Sequence, residues 1–116
     1  MKAHVSWHHG VSFVAESGSG HATIVDGAPE HGGRNIGPRP MELILMGLGS
    51  CASFDVITIL KKQRQDVVSC DCSLEAERAD AVPAVFTKIT MDFQVSGNNL
   101  DQTKVKRAVA LSAEKY

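Results

Sequence analysis

The chain lacks an excess of charge of either sign. Twelve Lys and Arg residues stand against 13 Asp and Glu residues, so the formal net charge is −1 at pH 7 and the sequence pI is near 6.5. Proteins that bind nucleic acid or an anionic membrane surface through electrostatics carry a marked basic excess. The composition therefore gives no reason to expect nucleic acid or a membrane as a partner.

The chain also lacks a cysteine pattern for metal binding and a secretory leader. Its three cysteines, Cys51, Cys70 and Cys72, contain no C-x-x-C pair, and its five histidines are scattered, so no metal site and no cofactor are expected. The first residues, MKAHVSW, have no apolar signal-peptide run, which predicts a cytoplasmic protein. In that reducing compartment the cysteines are expected to be thiols.

What the sequence does have is one long apolar stretch, which predicts a helix from Arg39 to Gln65. Pro40 suits the first helical turn, because the N–H that proline lacks would have no partner there. Between positions 41 and 60 the only charged residues are Glu42 and Asp55, and apolar residues occupy every face of the helix. A helix that is hydrophobic all round is predicted to be buried on all sides.

Small and polar residues interrupt this helix at Gly47, Gly49, Ser50 and Asp55. Its length would permit a membrane span, but these interruptions argue against one. Each glycine costs about 1 kcal/mol of helix stability relative to alanine, and we expect the glycines to allow close approach of another helix. One small subunit offers too little cover for a fully buried helix, so we predict a homodimer.

Strand patterns flank the helix on both sides. Before it, residues 3–15 predict a hairpin that turns at His9-Gly10, residues 22–26 predict a third strand, and residues 27–38 form a glycine- and proline-rich loop. After it, residues 66–78 and 85–95 alternate between apolar and polar residues, as half-buried antiparallel strands do. The predicted inward-facing residues are Val68, Cys70, Cys72, Leu74 and Ala76, then Val85, Thr87, Ile89, Met91, Phe93 and Val95.

A second helix is predicted to begin at Asp101, with Val105, Ala108, Val109 and Ser112 on its inner face. Hairpins that flank helices predict one α+β domain over residues 1–116, with antiparallel sheets around the long central helix. The last residues, Lys115-Tyr116, lie in mid-helix without a capping signal, which suggests that the chain is truncated or incomplete.

Cys51 lies in the middle of the predicted helix and has two interpretations. It could be a small apolar core residue, since free cysteine is among the most buried residue types. Alternatively it could be a reactive thiol, but a dry interior raises a thiol pKa, and the helix dipole fades within the first turn. A reactive Cys51 therefore needs a cation from outside the helix, and the candidates are Arg34, Arg39 or a residue of a second subunit.

The run PMELILMGLGSCASFDVITIL and the two long strands after it resemble the OsmC/Ohr family of osmotically inducible and organic hydroperoxide resistance proteins, closest to a branch of small bacterial OsmC-like proteins. The shared features are a P-x-E segment that opens the helix and a C-x-x-x-D-V-x-x-I-L-x-K pattern. The resemblance implies an intertwined homodimer whose two central helices pack together between antiparallel sheets. The residues that match the second pattern are Cys51, Asp55, Val56, Ile59, Leu60 and Lys62.

The resemblance also implies a peroxidase cycle of the oxidative stress response. A cysteine thiolate attacks an organic hydroperoxide, becomes a sulfenic acid, and condenses with a second cysteine to a disulfide that a thiol reductant opens. Cys51 matches the attacking cysteine, and Arg39 and Glu42 are candidates for the arginine and glutamate that assist it, although Glu42 could instead complement the helix dipole. A second, resolving cysteine is expected after Tyr116.

One departure from the family pattern favours an alternative function. Members of the better-studied branches of the family carry a glutamate ten residues before the cysteine, and Met41 stands there in this chain. The alternative is a non-catalytic dimer that binds an apolar small molecule between its subunits. Its pocket would be lined by Met41, Met46 and Phe54.

Overall fold

The computed structural model describes residues 1–114, which form two compact units that meet in sequence between Ile44 and Leu45. All strand pairs are antiparallel, so the predicted α+β class is confirmed. The expected mid-helix end at Lys115-Tyr116 lies outside the described residues. The elements are β1 (Ala3–His9), β2 (Ser12–Ser17), β3 (Ala22–Val25), α1 (Pro40–Lys62), β4 (Asp66–Arg78), β5 (Phe86–Asn98) and α2 (Gln102–Glu114).

The first unit contains a three-stranded sheet in the order β1-β2-β3. The predicted hairpin is present, with Trp7 paired to Phe13 and a register shift next to the turn. Gly10 has φ +55, a left-handed conformation that glycine adopts without strain. The Trp7 indole N–H donates to the Gly10 carbonyl at 2.9 Å and fixes the turn.

The loop between β3 and α1 packs tightly in spite of its length. It contains one short 3₁₀ turn, Pro29–His31, and its end is tied back where the Asp26 N–H donates to the Pro38 carbonyl at 3.0 Å. A Cβ atom at Gly33 would overlap the Gly27 carbonyl, and one at Gly37 would overlap the carbonyl of Ile24. The glycines of this loop therefore permit close backbone packing.

Helix α1 is buried along one stripe, and the prediction that it is buried on all sides is wrong for the single chain. The spacing of the stripe places its residues on one helix face. Apolar side chains elsewhere on the helix are exposed, by 72% at Phe54, 59% at Ile44 and 56% at Met46. The buried residues are Gly49, Ala52, Val56 and Leu60.

By length and composition alone, α1 is also apolar enough to cross a membrane, and 22% of its most apolar window is buried. Its first turns lie in the first compact unit and the rest in the second.

The second unit holds the main apolar core. This core centres on Val56 and Leu60 of α1 and Ala108 of α2, with side chains of β4 and β5 packed around them.

Strands β4 and β5 form a long antiparallel pair in which Cys72 lies opposite Phe93. From Cys70 to Ala76 and from Ile89 to Val95 the predicted alternation is confirmed. It fails near the strand ends, where the register shifts beside Val67 and beside Arg78. These irregularities leave three predicted core residues exposed, namely Val68, Val85 and Thr87.

Helix α2 begins as predicted, since the Asp101 carboxylate accepts the Thr103 N–H at 2.9 Å and serves as the N-cap. All four predicted inner residues are buried or half-buried, with Ala108 and Ser112 at the centre. A Cβ at Gly49 of α1 would lie 2.6 Å from Leu74 Cδ1 of β4. The absence of a side chain at Gly49 therefore leaves room for the Leu74 side chain.

Candidate functional site

Cys51 is an exposed free thiol in the middle of α1, so the expected dry surroundings are not found in the single chain. One turn toward the C-terminus, its neighbours on the helix surface are Phe54 and Asp55. One turn toward the N-terminus stands Gly47, where a Cβ would meet no described atom within 4 Å apart from its own neighbours and backbone in α1. The thiol thus lies beside open space and an exposed aromatic ring.

The other two thiols are half-buried on β4, in the second unit. Cys70 packs against the cluster around Val56, and Cys72 is hydrogen-bonded to Ser53 of α1. Burial raises the pKa of the Cys70 thiol and the pKa of the Cys72 thiol. Their inward direction on β4 is as predicted, and it disfavours the thiolate form that redox chemistry needs.

Arg39 and Glu42 lie together at the start of α1. Arg39 is the N-cap residue, because its carbonyl accepts the Leu43 N–H at 3.1 Å. The Glu42 carboxylate reaches back to accept the Arg39 backbone N–H at 2.8 Å, the reciprocal half of a capping box. The same carboxylate oxygen lies 3.9 Å from Arg39 Nε. Glu42 therefore caps the helix and faces the guanidinium at the same time.

A second partner of the guanidinium is Asn35, whose Oδ1 accepts from Arg39 Nη1 at 2.6 Å. Arg34, the other candidate cation, lies in the same loop, and its backbone N–H donates to Asp26 Oδ2 at 3.0 Å. The Arg39 guanidinium thus has one side-chain hydrogen bond, with Asn35, and one carboxylate contact, with Glu42.

Asp26 has no role in the sequence-based predictions, yet it is the most buried carboxylate of the loop region, with 2% of its surface exposed. It accepts backbone N–H groups from Gly27 at 2.8 Å, Arg34 at 3.0 Å and Ile36 at 3.4 Å. The Gly27 N–H, followed by the other two donors and the Arg34 charge, lowers the pKa of Asp26 against the opposing effect of burial.

Sequence reasoning missed both Asp26 and Asn35. A signal exists for each, since an Asp before a glycine-rich loop tends to accept nearby backbone N–H groups, and Asn tolerates the left-handed conformation that Asn35 adopts at φ +53. The partners of these side chains lie up to ten residues away in sequence. Their identity could not be read from local patterns.

The predicted site residues fall into two groups. Arg39, Glu42 and the half-buried Met41 belong to the first compact unit. Cys51, with the exposed Met46 and Phe54, belongs to the second. Across residues 1–114, the structure contains no group of three or more His, Cys, Asp or Glu side chains suited to a metal ion.

An α+β chain with antiparallel strand pairs and a long apolar helix that carries a central cysteine defines a recognisable class of protein. Residues 31–116 match the sequence model of the family described as OsmC-like protein. The chain therefore belongs to the OsmC-like family, as the resemblance predicts. This membership also accounts for α1, which is the central helix of the OsmC-like fold.

Known relatives agree with this assignment. Protein YhfA from Escherichia coli strain K12 is 46% identical over 116 residues, which cover 100% of this chain and 84% of YhfA. An OsmC-like protein of unknown function from Vibrio cholerae has a TM-score of 0.85 at 17% identity, covering 98% and 87% of the two chains. The organic hydroperoxide resistance protein OsmC from Legionella pneumophila has a TM-score of 0.68 at 18% identity, covering 98% and 82%. At these identities the two structural matches establish the fold.

Proposed function

We propose that this protein is a thiol-dependent peroxidase that reduces organic hydroperoxides through Cys51. The observation that carries the proposal is the exposed thiol of Cys51 in the middle of α1, beside the open space at Gly47. Membership of the OsmC-like family supports it, because a structural neighbour is named as an organic hydroperoxide resistance protein. The apolar surroundings on the helix, with Phe54 one turn away, suit a hydroperoxide with a hydrocarbon group.

The proposed reaction has two halves. The Cys51 thiolate attacks the terminal oxygen of ROOH, the S–O bond forms as the O–O bond breaks, and the alkoxide leaves as ROH after taking a proton. A thiol reductant then attacks the sulfenic acid, releases water and forms a mixed disulfide, and a second reductant thiol restores Cys51. Cys70 and Cys72 are poorly suited to act as a resolving cysteine that attacks the sulfenic acid, because burial raises the pKa of both thiols.

Thiolate formation at Cys51 calls for a nearby cation, since the dipole of α1 has faded at this depth in the helix. We assign this role to Arg39 of a second subunit, with Arg34 as the other candidate, because Arg39 and Cys51 of one chain are separated by more than three turns of α1. We assign Glu42 to orienting the guanidinium. The contacts of Arg39 with Asn35 and Glu42 support the choice, because they hold the planar group on two sides.

We further propose that the protein acts as a cytoplasmic homodimer. The exposed apolar side chains of α1 support the dimer, since single soluble chains seldom leave large apolar side chains open along one helix. The substrate is a small-molecule hydroperoxide and the second reactant is a thiol. Neither nucleic acid nor a membrane surface is a proposed partner.

The purified protein should consume cumene hydroperoxide in the presence of dithiothreitol or a dihydrolipoyl thiol. Cys51→Ser should reduce the rate to that of the uncatalysed mixture, because serine cannot form the attacking thiolate. Cys72→Ala is the matched control, since it removes a half-buried thiol, and it should keep the wild-type rate. A Cys51→Ser variant as fast as the wild type would disprove the assignment.

The exposed apolar face of α1 also favours a second candidate, a non-catalytic dimer that binds an apolar small molecule. Met41, Met46 and Phe54 would then line the binding site. The pH dependence of Cys51 alkylation separates the two candidates. A thiol pKa well below the ordinary value of about 8.5 supports the peroxidase, and a raised value supports the binding protein.

A further inference from the structure

Asn35 has an unusual backbone conformation and a specific side-chain partner. Its φ of +53 places it in the left-handed region, where few residues other than glycine and asparagine are found. From this position its Oδ1 accepts a hydrogen bond of 2.6 Å from Arg39 Nη1. The orientation of the Arg39 guanidinium thus depends on the backbone conformation at residue 35.

Asp26 holds that backbone conformation from both sides. Its Oδ2 accepts the N–H of Arg34 and the N–H of Ile36, the two residues that flank Asn35. Its own backbone N–H donates to the carbonyl of Pro38, the residue before Arg39. One buried residue therefore restrains three points of the segment that ends at the guanidinium.

Both oxygens of the Asp26 carboxylate accept hydrogen bonds, so position 26 requires a carboxylate. Oδ1 accepts the Gly27 N–H at 2.8 Å while Oδ2 accepts the two loop donors. An asparagine at position 26 offers one acceptor oxygen and one NH₂ group. In either orientation its NH₂ group would face a backbone N–H donor, so the amide cannot replace the carboxylate.

We propose that Asp26 and Asn35 are positioning residues for Arg39: the Asp26 carboxylate fixes the backbone around Asn35, and Asn35 in turn orients the guanidinium. This inference rests on the proposed function for its catalytic consequence, because Arg39 is there assigned to the activation of Cys51. The geometry itself lies wholly within the first compact unit. Glu42 supplies the remaining contact, at 3.9 Å from Nε.

Four variants test this relay, in which Asp26 acts on Asn35 and Asn35 acts on Arg39. Asp26→Asn removes the carboxylate, and Asn35→Gly removes the partner of Arg39 while it keeps the left-handed backbone accessible. Asn35→Asp is the conservative variant, since it keeps both an acceptor oxygen and tolerance of positive φ. Glu30→Gln is the matched control, because Glu30 is an exposed carboxylate in the same loop.

The first readout is the NMR order parameter of the Arg39 Nε–H bond, which needs no enzymatic activity. We expect an ordered value in the wild type, in Glu30→Gln and in Asn35→Asp. We expect a value below about 0.6, the range of flexible groups, in Asp26→Asn and Asn35→Gly. Equal order parameters in all five proteins would overturn the relay, whether or not the protein reduces peroxides.

The second readout is kcat/KM with cumene hydroperoxide. Asp26→Asn and Asn35→Gly should lower it by between about 10- and 100-fold, and Asn35→Asp should restore most of the rate. The double variant Asn35→Gly/Arg39→Ala should be no slower than Arg39→Ala alone, because both changes act through one guanidinium. Additive losses would overturn the relay.

Failure of the proposed function gives a different result. If the wild type consumes no peroxide, or if Arg39→Ala leaves its rate unchanged, the assigned role of Arg39 is wrong. The order parameter still decides whether Asp26 and Asn35 orient the guanidinium. The two outcomes are therefore distinguishable.

Discussion

The carboxylate of Asp26 lies at the end of β3 with 2% of its surface exposed, and its hydrogen-bond donors are backbone N–H groups of the loop that follows. A carboxylate that accepts several backbone N–H groups is stabilised in its charged form. The pKa of Asp26 is accordingly lowered, first by the Gly27 N–H. Loop structure and charge state are therefore coupled at this residue.

This coupling predicts an acid-dependent contribution to stability. Because the folded-state pKa lies below the unfolded value of about 3.9, the contribution is fully present above that value and is lost as the pH falls through the folded-state pKa. The free energy of unfolding, measured by urea denaturation at a series of pH values, should therefore fall more steeply in acid for the wild type than for Asp26→Asn. Parallel curves for the two proteins would contradict the role of this carboxylate.

Strand β4 shows how one irregular position changes which side chains face the core. The register shifts between Val67 and Ser69, so Val67 packs against the core cluster while Val68 is 69% exposed. Alternation alone assigns Val68 to the core, because a strand without a bulge places residues 68, 70 and 72 on one face. A bulge inserts one extra residue and reverses that assignment beyond it.

The two adjacent valines make a matched pair of variants. Val67→Ala should destabilise the protein by about 1 kcal/mol or more, because it removes apolar surface from the core. Val68→Ala should change the free energy of unfolding by no more than about 0.5 kcal/mol, as exposed positions do. Chemical denaturation of both variants measures the difference, and equal losses would argue against the bulge.

At the scale of the whole molecule, the apolar surface of α1 is the feature that the single chain leaves unexplained. Ile44, Met46 and Phe54 are each more than half exposed. Several large apolar side chains that are exposed on one helix usually mark a surface that binds a partner. The proposed homodimer gives this surface a partner, and it suits the expectation that the helix needs more cover than one subunit supplies.

Light scattering coupled to size exclusion tests this assembly. The wild type should have twice the chain mass of 12.4 kDa, and Phe54→Glu should shift it toward the mass of one chain, because a charge at the interface must be desolvated. Val82→Glu is the control, since Val82 is a fully exposed valine in the turn between β4 and β5. A monomeric wild type, or a Phe54→Glu variant that stays dimeric, would refute the predicted interface.

The order and type of the helices and strands followed from the sequence, because hydrophobic periodicity is a local property of each segment. The pattern around Cys51 likewise identified the family, and the spacing in α2 gave its buried face. The predicted bounds of β4 agree with the structure, and those of α1 differ by at most three residues. Within these elements, position in the repeat was enough to assign most side chains to a face.

Only the tertiary structure showed that Cys51 is exposed and that α1 buries a single stripe. It also showed the hydrogen bonds by which Asp26 holds the loop backbone beside Asn35 and Asn35 contacts Arg39. Apolar composition reports which side chains avoid water on average, but it does not say how much cover one chain provides. Hydrogen bonds across a long loop depend on how the backbone folds back on itself, since their donors and acceptors are distant in sequence. That information exists only once the chain is packed.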